Sequence, residues 1–420
     1  MSRRLLAIAL CATVLVASAC GASSQPTEST TTIASAVTVQ WLPCGAIECA
    51  QVEVPVDYAV PNGSKVSIGI FRRVATAKKS SRTLFFMPDR HYGDSARVLV
   101  ERAPLTMGAD IASFTVVGIA PRGSVDSPMP AGNEHLVSTL ASSDDVDAVR
   151  RALSLGNVSV MAWGAGATTA SVMKMLNPDV VDVMVLDSPS DPAVSQTMLV
   201  DKQIESSEAA VVGAMHWCAS HISCPMNANV AKELNKFKTA LRIGRIAGGA
   251  DYSTIARAGT AALSAGVPQE LFVAISSASA GDSQSLLGLG GAAPSVASAY
   301  APCADVSKKA AARIAQMYAA NMDSHTRLIH IGAEASVYAF CNDLPEANLQ
   351  LGKIDAVKSA FESNVMVTIS RGDPVVPPYA ARTMAKRMGW TFQSVYVNRH
   401  LVVGIDRAIT AQALQFLMKS

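Results

Sequence analysis

The chain has 420 residues, half of them apolar, and its 35 basic and 33 acidic side chains leave a net charge of +2. This balance, without basic clusters, excludes a nucleic-acid-binding protein, which needs a positive surface to bind phosphates. Beyond the N-terminal segment, no apolar run is long enough to cross a bilayer. The composition therefore indicates a folded domain that does not use nucleic acid as a partner.

The N-terminal segment has the pattern of an export signal. Two arginines precede a short apolar run, and small residues lead directly to Cys20. We expect residues 1–19 to be a signal peptide, because the sequence before Cys20 resembles the lipobox at which bacterial lipoproteins are cut and diacylated. The alternative is ordinary secretory cleavage after Ala19. Residues 20–39, rich in Ser, Thr and Ala, are predicted to form a flexible tether that holds an extracytoplasmic domain at the cell membrane.

Six further cysteines lie in the expected domain, and an even number in an oxidising compartment predicts disulfides. The alternative for one group is a metal site that also uses His216 and His221, because cysteine and histidine both bind zinc. We expect disulfide bracing instead, with no metal and no cofactor. Sequence proximity, and elimination for the last pair, gives Cys44 with Cys49, Cys218 with Cys224, and Cys303 with Cys341.

The first part of the domain alternates short apolar strands with helices. A hairpin is predicted around the turn at 61–63, and continuous apolar runs, typical of strands buried on both faces, follow it. Asp144 and Asp145 suit a helix N-terminus. This alternation predicts a parallel sheet with right-handed crossovers. The strand runs are 84–87, 115–119, 158–161 and 181–186, and the helices are 144–155 and 166–176.

A long segment without strand patterns divides the domain. Residues 194–353 are predicted to form a helical lid insertion between two parts of the sheet core, 40–193 and 354–420. Such a lid would cover the carboxyl ends of the strands, where open α/β sheets bind ligands. In the second part we expect strands at 364–369 and 391–397, and helices at 379–388 and 408–418.

A series of short motifs, in a fairly specific order and spacing, links the chain to one family. They are Val54-Pro55-Val56-Asp57-Tyr58, Pro121-Arg122-Gly123, Val185-Leu186-Asp187, Cys341-Asn342-Asp343 and Gly372-Asp373-Pro374. From Trp41 to the C-terminus, the chain resembles the secreted tripeptidyl-aminopeptidase-like branch of the proline-iminopeptidase group of α/β-hydrolases. The resemblance implies the α/β-hydrolase fold, with a mostly parallel central sheet and a helical lid insertion.

The resemblance also implies a Ser-His-Asp triad, but the serine is missing. Family members carry it on a strand-to-helix turn with the pattern GxSxG. Here that turn is Ala162-Trp163-Gly164-Ala165-Gly166, and Gly164 stands at the nucleophile position. Without an oxygen at this position no acyl-enzyme can form there. Asp373 matches the acid and His400 the base of the triad.

The loop that contributes to the oxyanion hole in this family departs from the family pattern as well. Residues 88–93, which include Asp89 and Arg90, replace a glycine-rich loop. A carboxylate at Asp89 would place negative charge where the oxyanion develops, which is the opposite of what hydrolysis needs. We therefore predict a catalytically degenerate member of the family.

Three functions are compatible with these residues. The first is a pseudoenzyme, an envelope lipoprotein whose lidded cleft binds a peptide or an envelope protein. The second is an active peptidase or esterase-type hydrolase in which water or a lid serine replaces the nucleophile beside His400 and Asp373. The third is a dinucleotide site, since Gly164-Ala165-Gly166 joins a strand to a helix and Asp187 follows at the required distance, although Thr169 replaces the third glycine.

Overall fold

A computed structural model describes residues 39–77, 82–90, 94–246, 248, 250–291, 301–322, 338–345, 351–352, 354, 356, 360 and 364–419. All of them belong to one compact unit, Thr38–Ser420. The expected signal peptide, Cys20 and the tether up to residue 38 lie outside the described residues. The same holds for residues 91–93 of the oxyanion loop.

Nine strands form one sheet in the order β1-β2-β3-β5-β4-β6-β7-β8-β9. β3 is antiparallel to both β2 and β5, whereas every pair from β5-β4 to β8-β9 is parallel. Apart from the two-residue β1, this is the strand order of the α/β-hydrolase fold, so the predicted fold class is confirmed. The strands are β1 Leu42–Pro43, β2 Glu48–Pro55, β3 Lys65–Arg73, β4 Arg82–Met87, β5 Phe114–Ile119, β6 Val158–Trp163, β7 Val181–Asp187, β8 Val365–Ser370 and β9 Thr391–Val395.

Helices cover both faces of the sheet. α1 and α11 pack on one face, and α2, α3 and α10 pack on the other. All residues of β6 and β8 are buried, because parallel strands between two helical layers expose neither face. These helices are α1 Ala96–Thr106, α2 Thr139–Ala152, α3 Gly164–Leu176, α10 Pro378–Met388 and α11 Arg407–Met418.

The segment between β7 and β8 is helical wherever the structure assigns regular elements to it. It has an apolar core of its own, to which α4–α8 contribute. Two of the three disulfides lie in this segment. Together the three bonds join the six domain cysteines in the expected pairs. The Cys218–Cys224 bond removes the thiolates that the alternative metal site needs. The helices are α4 Gln196–Ser220, α5 Val230–Arg242, α6 Tyr252–Ala265, α7 Pro268–Ser279, α8 Gln284–Gly290 and α9 Lys308–Met322.

None of the helices in the described part of the chain is long and apolar enough to cross a bilayer.

α2 begins earlier than its acidic residues suggest. The Ser138 side chain caps the helix by accepting from the backbone N–H of Ala141, and Thr139 is the first helical residue. The expected start at Asp144 is therefore wrong. Asp145 lies within the helix and is almost fully buried, because it is the counter-ion of Arg122.

Arg122 and Asp145 form a buried ion pair between the turn after β5 and α2. The guanidinium donates from Nε to Asp145 Oδ2 at 2.7 Å, and it also donates to the backbone carbonyls of Pro55, Val56 and Leu136. The Tyr58 hydroxyl donates to Asp145 Oδ1 at 2.8 Å. Each charge is thus hydrogen-bonded on several sides, which offsets the cost of burying it.

We expect Asp145→Ala to lower the free energy of unfolding by about 3–5 kcal/mol, because it leaves the Arg122 charge buried without its partner. Urea unfolding of the purified protein measures this change. The matched control is Glu48→Ala, which breaks the more exposed 2.7 Å pair with Arg72 and should cost at most about 1 kcal/mol. Equal losses in the two variants would contradict the assignment.

Candidate active site

The turn from β6 into α3 keeps the geometry of a nucleophile elbow. Gly164 has φ of +50°, in the left-handed region that glycine adopts at low cost. A Cβ atom at Gly166 would overlap the backbone carbonyl oxygens of Met87 and Pro88, so the helix start packs directly on the end of β4. The position therefore has the backbone of a catalytic serine without its side chain.

The Asp89 side chain occupies the space next to Gly164 that a nucleophile would fill. A Cβ built on Gly164 would lie 2.5 Å from Asp89 Cγ and 2.8 Å from Asp89 Cβ. Asp89 follows β4, the sheet neighbour of β6, and this places its carboxylate over the elbow. Its Oδ1 accepts from the backbone N–H of Ala165 at 2.9 Å. In this fold that amide, directly after the nucleophile, is an oxyanion-hole donor, so an acid of the chain itself already uses it.

Asp373 and His400 meet at the carboxyl end of the sheet, although 27 positions separate them in the chain. His400 Nδ1 lies 2.8 Å from Asp373 Oδ2. Asp373 Oδ1 accepts from the backbone N–H groups of Val375 and Val376 at 2.8 and 2.9 Å. The His400 backbone N–H donates to the carbonyl of Ser264 on α6 at 2.9 Å. The acid and base positions thus have the geometry of a triad, and the lid contacts the base directly.

His400 lies between two carboxylates. Its Nε2 atom is 3.8 Å from Asp89 Oδ2, on the opposite side of the ring from Asp373. Burial disfavours the charged ring, but attraction to Asp373, their hydrogen bond, and the charges of Asp89 and Asp187 outweigh burial and raise the pKa of His400 to about 9. The imidazole is therefore protonated at neutral pH. A protonated histidine cannot accept the proton of a nucleophile, which is the task of the base in a triad.

Asp187 positions the loop that carries His400. It is fully buried at the end of β7, and its Oδ2 accepts from the backbone N–H groups of Val402 and Val403 at 2.7 and 2.8 Å. Burial raises its pKa to about 6 despite these bonds. A carboxylate enclosed in this way cannot bind a ribose, so the dinucleotide hypothesis is wrong. The motif that ends in Asp187 was visible in the sequence, but its partners lie more than 200 positions away.

A cavity of about 150 Å³ opens beside this cluster. Asp89, Gly164 and His400 line its floor, and Leu199 and Asp305 of the insertion line it from the lid side. It is smaller than the roughly 300–1,000 Å³ pockets that enclose drug-sized ligands. The described residues therefore leave room for a small molecule or for one end of a larger one.

The remaining site residues fall on both sides of the cavity. Arg90 lines the cavity, whereas Asp373 lies behind His400. Sequence reasoning missed Asp305, which accepts from the backbone N–H and the hydroxyl of Thr139 at 2.8 and 2.7 Å and so joins the lid to the start of α2. Its only local signal was the neighbouring Cys303.

Comparison with curated proteins finds a weak relative. A protein named serine protease Hip1, from Mycobacterium tuberculosis, is 23% identical over 256 residues, which cover 47% of this chain and 48% of the relative. The protein of the same name from Mycobacterium bovis gives the same values. The chain thus spans about half the length of the curated relatives it matches, and no family model matches it.

Solved structures with a similar course of the chain include hydrolases. The proline iminopeptidase of Mycobacterium smegmatis aligns with a TM-score of 0.41 and 14% identity, over 87% of this chain and 97% of that one. An α/β-hydrolase from Novosphingobium aromaticivorans aligns with a TM-score of 0.42 and 12% identity, over 90% and 100%. The strand order and the connections of the sheet establish that the chain has the α/β-hydrolase fold.

The charge on His400 predicts a pH dependence of stability. Because its pKa is raised in the folded state, the stabilisation is complete below pH 6.5 and is lost as the pH rises through about 9. We expect this loss to be on the order of 3 kcal/mol. Urea unfolding at several pH values between 6.5 and about 9 measures it. Asp89→Asn should reduce it and lower the His400 pKa measured by NMR. His221→Gln, at an exposed histidine, should leave both unchanged; an Asp89→Asn variant with the unaltered pH profile would contradict the coupling.

Restoring the serine alone should not restore reactivity. Gly164→Ser places a Cβ against Asp89 and in a left-handed conformation that alone costs about 1–2 kcal/mol, so we expect an unstable protein that a fluorophosphonate probe does not label. Gly164→Ser combined with Asp89→Gly vacates the space, frees the Ala165 amide and should label. Labelling of the single variant as strong as that of the double variant would show that Asp89 does not block the elbow.

Proposed function

We propose that this chain is a degenerate α/β-hydrolase of the cell envelope, anchored through a lipid on Cys20, that binds a peptide or protein partner in its lidded cleft. The observation that carries the proposal is the position of Asp89. Its carboxylate fills the space of a nucleophile and accepts the hydrogen bond of the oxyanion amide. Three disulfides support the export of the domain, because such bonds persist in oxidising compartments.

The three requirements of serine hydrolysis fail together at this site. Gly164 supplies no hydroxyl, the Ala165 amide is already satisfied, and His400 carries a proton at neutral pH. Removing only the nucleophile from a triad leaves a residual rate of about a thousandfold over water, which comes from the oxyanion hole and substrate binding. Here Asp89 opposes the oxyanion contribution too. The chain retains the structural support of a hydrolase site without a working nucleophile.

Binding is the role that the retained parts favour. Asp373, His400 and Asp187 are buried and hydrogen-bonded on one side of the cavity. Asp305 connects the insertion on the other side to the start of α2. The cavity between them is preformed, which lowers the entropic cost of binding. At about 150 Å³ it takes a small group, such as the terminal residue of a peptide.

One observation favours a second function, in which Asp89 itself is the nucleophile. Its Oδ1 accepts from Ala165, while its Oδ2 faces His400. Oδ2 could attack the carbonyl carbon of an aminoacyl or peptidyl substrate, forming a mixed anhydride as the amine departs with the bonding electrons and a proton from His400; water deprotonated by His400 would then cleave the anhydride at Cγ of Asp89. The raised pKa of His400 disfavours this second step at neutral pH.

The purified full-length protein should neither hydrolyse aminoacyl and tripeptidyl chromogenic substrates nor react with a fluorophosphonate probe, because Gly164 supplies no hydroxyl at the nucleophile position. The double variant at Gly164 and Asp89 is the positive control, and His400→Ala in that background is the negative control. Colour release and covalent labelling are the measurements.

Turnover by the unaltered protein that disappears in His400→Ala would sink the binding proposal. If that turnover also disappears in Asp89→Asn, and a single turnover in H₂¹⁸O leaves the label on Asp89, the second function is correct. If Asp89→Asn retains the turnover, another nucleophile acts in the cleft.

A further inference from the structure

Arg90 is a cation in the cavity that forms no ion pair with any described residue. It follows Asp89 and lines both the main cavity and a smaller one of about 20 Å³ below it. Its Nε atom is buried and has no hydrogen-bond partner among the described residues. Its one side-chain hydrogen bond to a described residue is a long one, from Nη2 to Ser142 Oγ at 3.3 Å. In the described part of the chain, no carboxylate oxygen lies within 4.0 Å of the Arg90 guanidinium nitrogens, the distance of an ion pair.

The contrast with Arg122 shows how incomplete this environment is. Arg122 makes five hydrogen bonds, two of them to Asp145. Burial lowers the pKa of Arg90, although Asp305 and Asp89 partly oppose that effect. An enclosed guanidinium that lacks a close anion is costly, and a ligand anion would offset that cost.

The acidic neighbours of Arg90 are already engaged elsewhere. Asp89 accepts from Ala165 and faces His400, and both oxygens of Asp305 accept from Thr139. The charge of His400 is already matched, because the ring lies between Asp373 and Asp89. Among the described residues that line the cavity, Arg90 is therefore the cation that lacks a close counter-ion.

The shape of the guanidinium selects the class of ligand. Its planar fork of N–H donors matches a carboxylate in two parallel hydrogen bonds. The cavity volume is about ten times the minimum that holds one water, which suits a small organic group attached to that carboxylate. Leu199, Val200 and Val376 provide apolar surface for the rest of the group.

We infer that Arg90 anchors a binding site for a small carboxylate, carried either by a free organic acid or by the C-terminus of a short peptide. The inference rests on the proposed binding role of the cleft and names the chemistry that the cleft recognises. Arg90 is the positioning residue for the ligand anion, and the lid side of the cavity receives the remainder.

The test compares Arg90→Met with the unaltered full-length protein by thermal unfolding and calorimetry. The probes are acetate, glycylglycine and glycylglycinamide, which separate a free acid, a peptide carboxylate and the same peptide with an amide in place of its carboxylate, with sodium chloride at equal ionic strength as the reference. We expect acetate or glycylglycine, but not the amide, to raise the melting temperature. Arg90→Met should weaken that binding about tenfold to a hundredfold. Arg245→Met, at an exposed arginine shortly after the end of α5, is the matched control and should bind as the unaltered protein does.

The melting temperature without ligand separates loss of the site from loss of the fold. Arg90→Met should be at least as stable as the unaltered protein, because it removes a half-buried charge that has no close carboxylate among the described residues. Equal binding of glycylglycine and its amide, unchanged binding in Arg90→Met, or no binding of either carboxylate would overturn the inference. Turnover assays on the same samples test the proposed function independently. If the protein neither turns over substrate nor binds a carboxylate, the proposal of a degenerate site stands and only the inferred ligand is wrong.

Discussion

The contact between Asp89 and the elbow at Gly164 is the constraint on which the rest of the site depends. Two side chains cannot share the space above the elbow, and here the acid from β4 takes it because residue 164 has no Cβ. Glycine also allows the left-handed turn that brings the Ala165 amide to the Asp89 carboxylate. The two positions are thus complementary, and a change at either one alone leaves an overlap or a vacancy.

This contact alters the chemistry of the residues that still match a triad. Asp373 orients His400 as it would in a hydrolase, but the second carboxylate near Nε2 stabilises the charged ring. The pKa of His400 is raised mainly by Asp373, and Asp89 adds to this effect, so the acid that blocks the elbow also favours the protonated form of the ring. One acidic residue thus accepts the hydrogen bond of the Ala165 amide, fills the space beside Gly164 and adds to the negative charge around His400.

The surrounding fold shows which charges are structural and which face the cavity. Arg122 and Asp145 neutralise each other in a buried ion pair. Asp187 accepts hydrogen bonds from the backbone of the loop that carries His400. Arg90 lines the cavity, and with the described residues its guanidinium makes one long hydrogen bond and no ion pair. Fully matched charges stabilise the scaffold, whereas the partly matched one identifies a place for a ligand.

Local patterns in the sequence determined the sheet, the order of its elements and the identity of the missing nucleophile. Continuous apolar runs specified the buried strands, and the elbow motif placed Gly164 between β6 and α3, because these features depend on residues close together in the chain. The same local reasoning failed at Asp145, which looked like a helix N-terminus, because its partner Arg122 comes from another element. Only the tertiary structure decided that Asp89 fills the place of the serine, that Asp187 serves the loop after His400, and that Asp305 holds the lid on α2. Each of these contacts joins residues 75 or more positions apart, and their distances follow from the packing of strands and helices, which spacing along the chain does not encode.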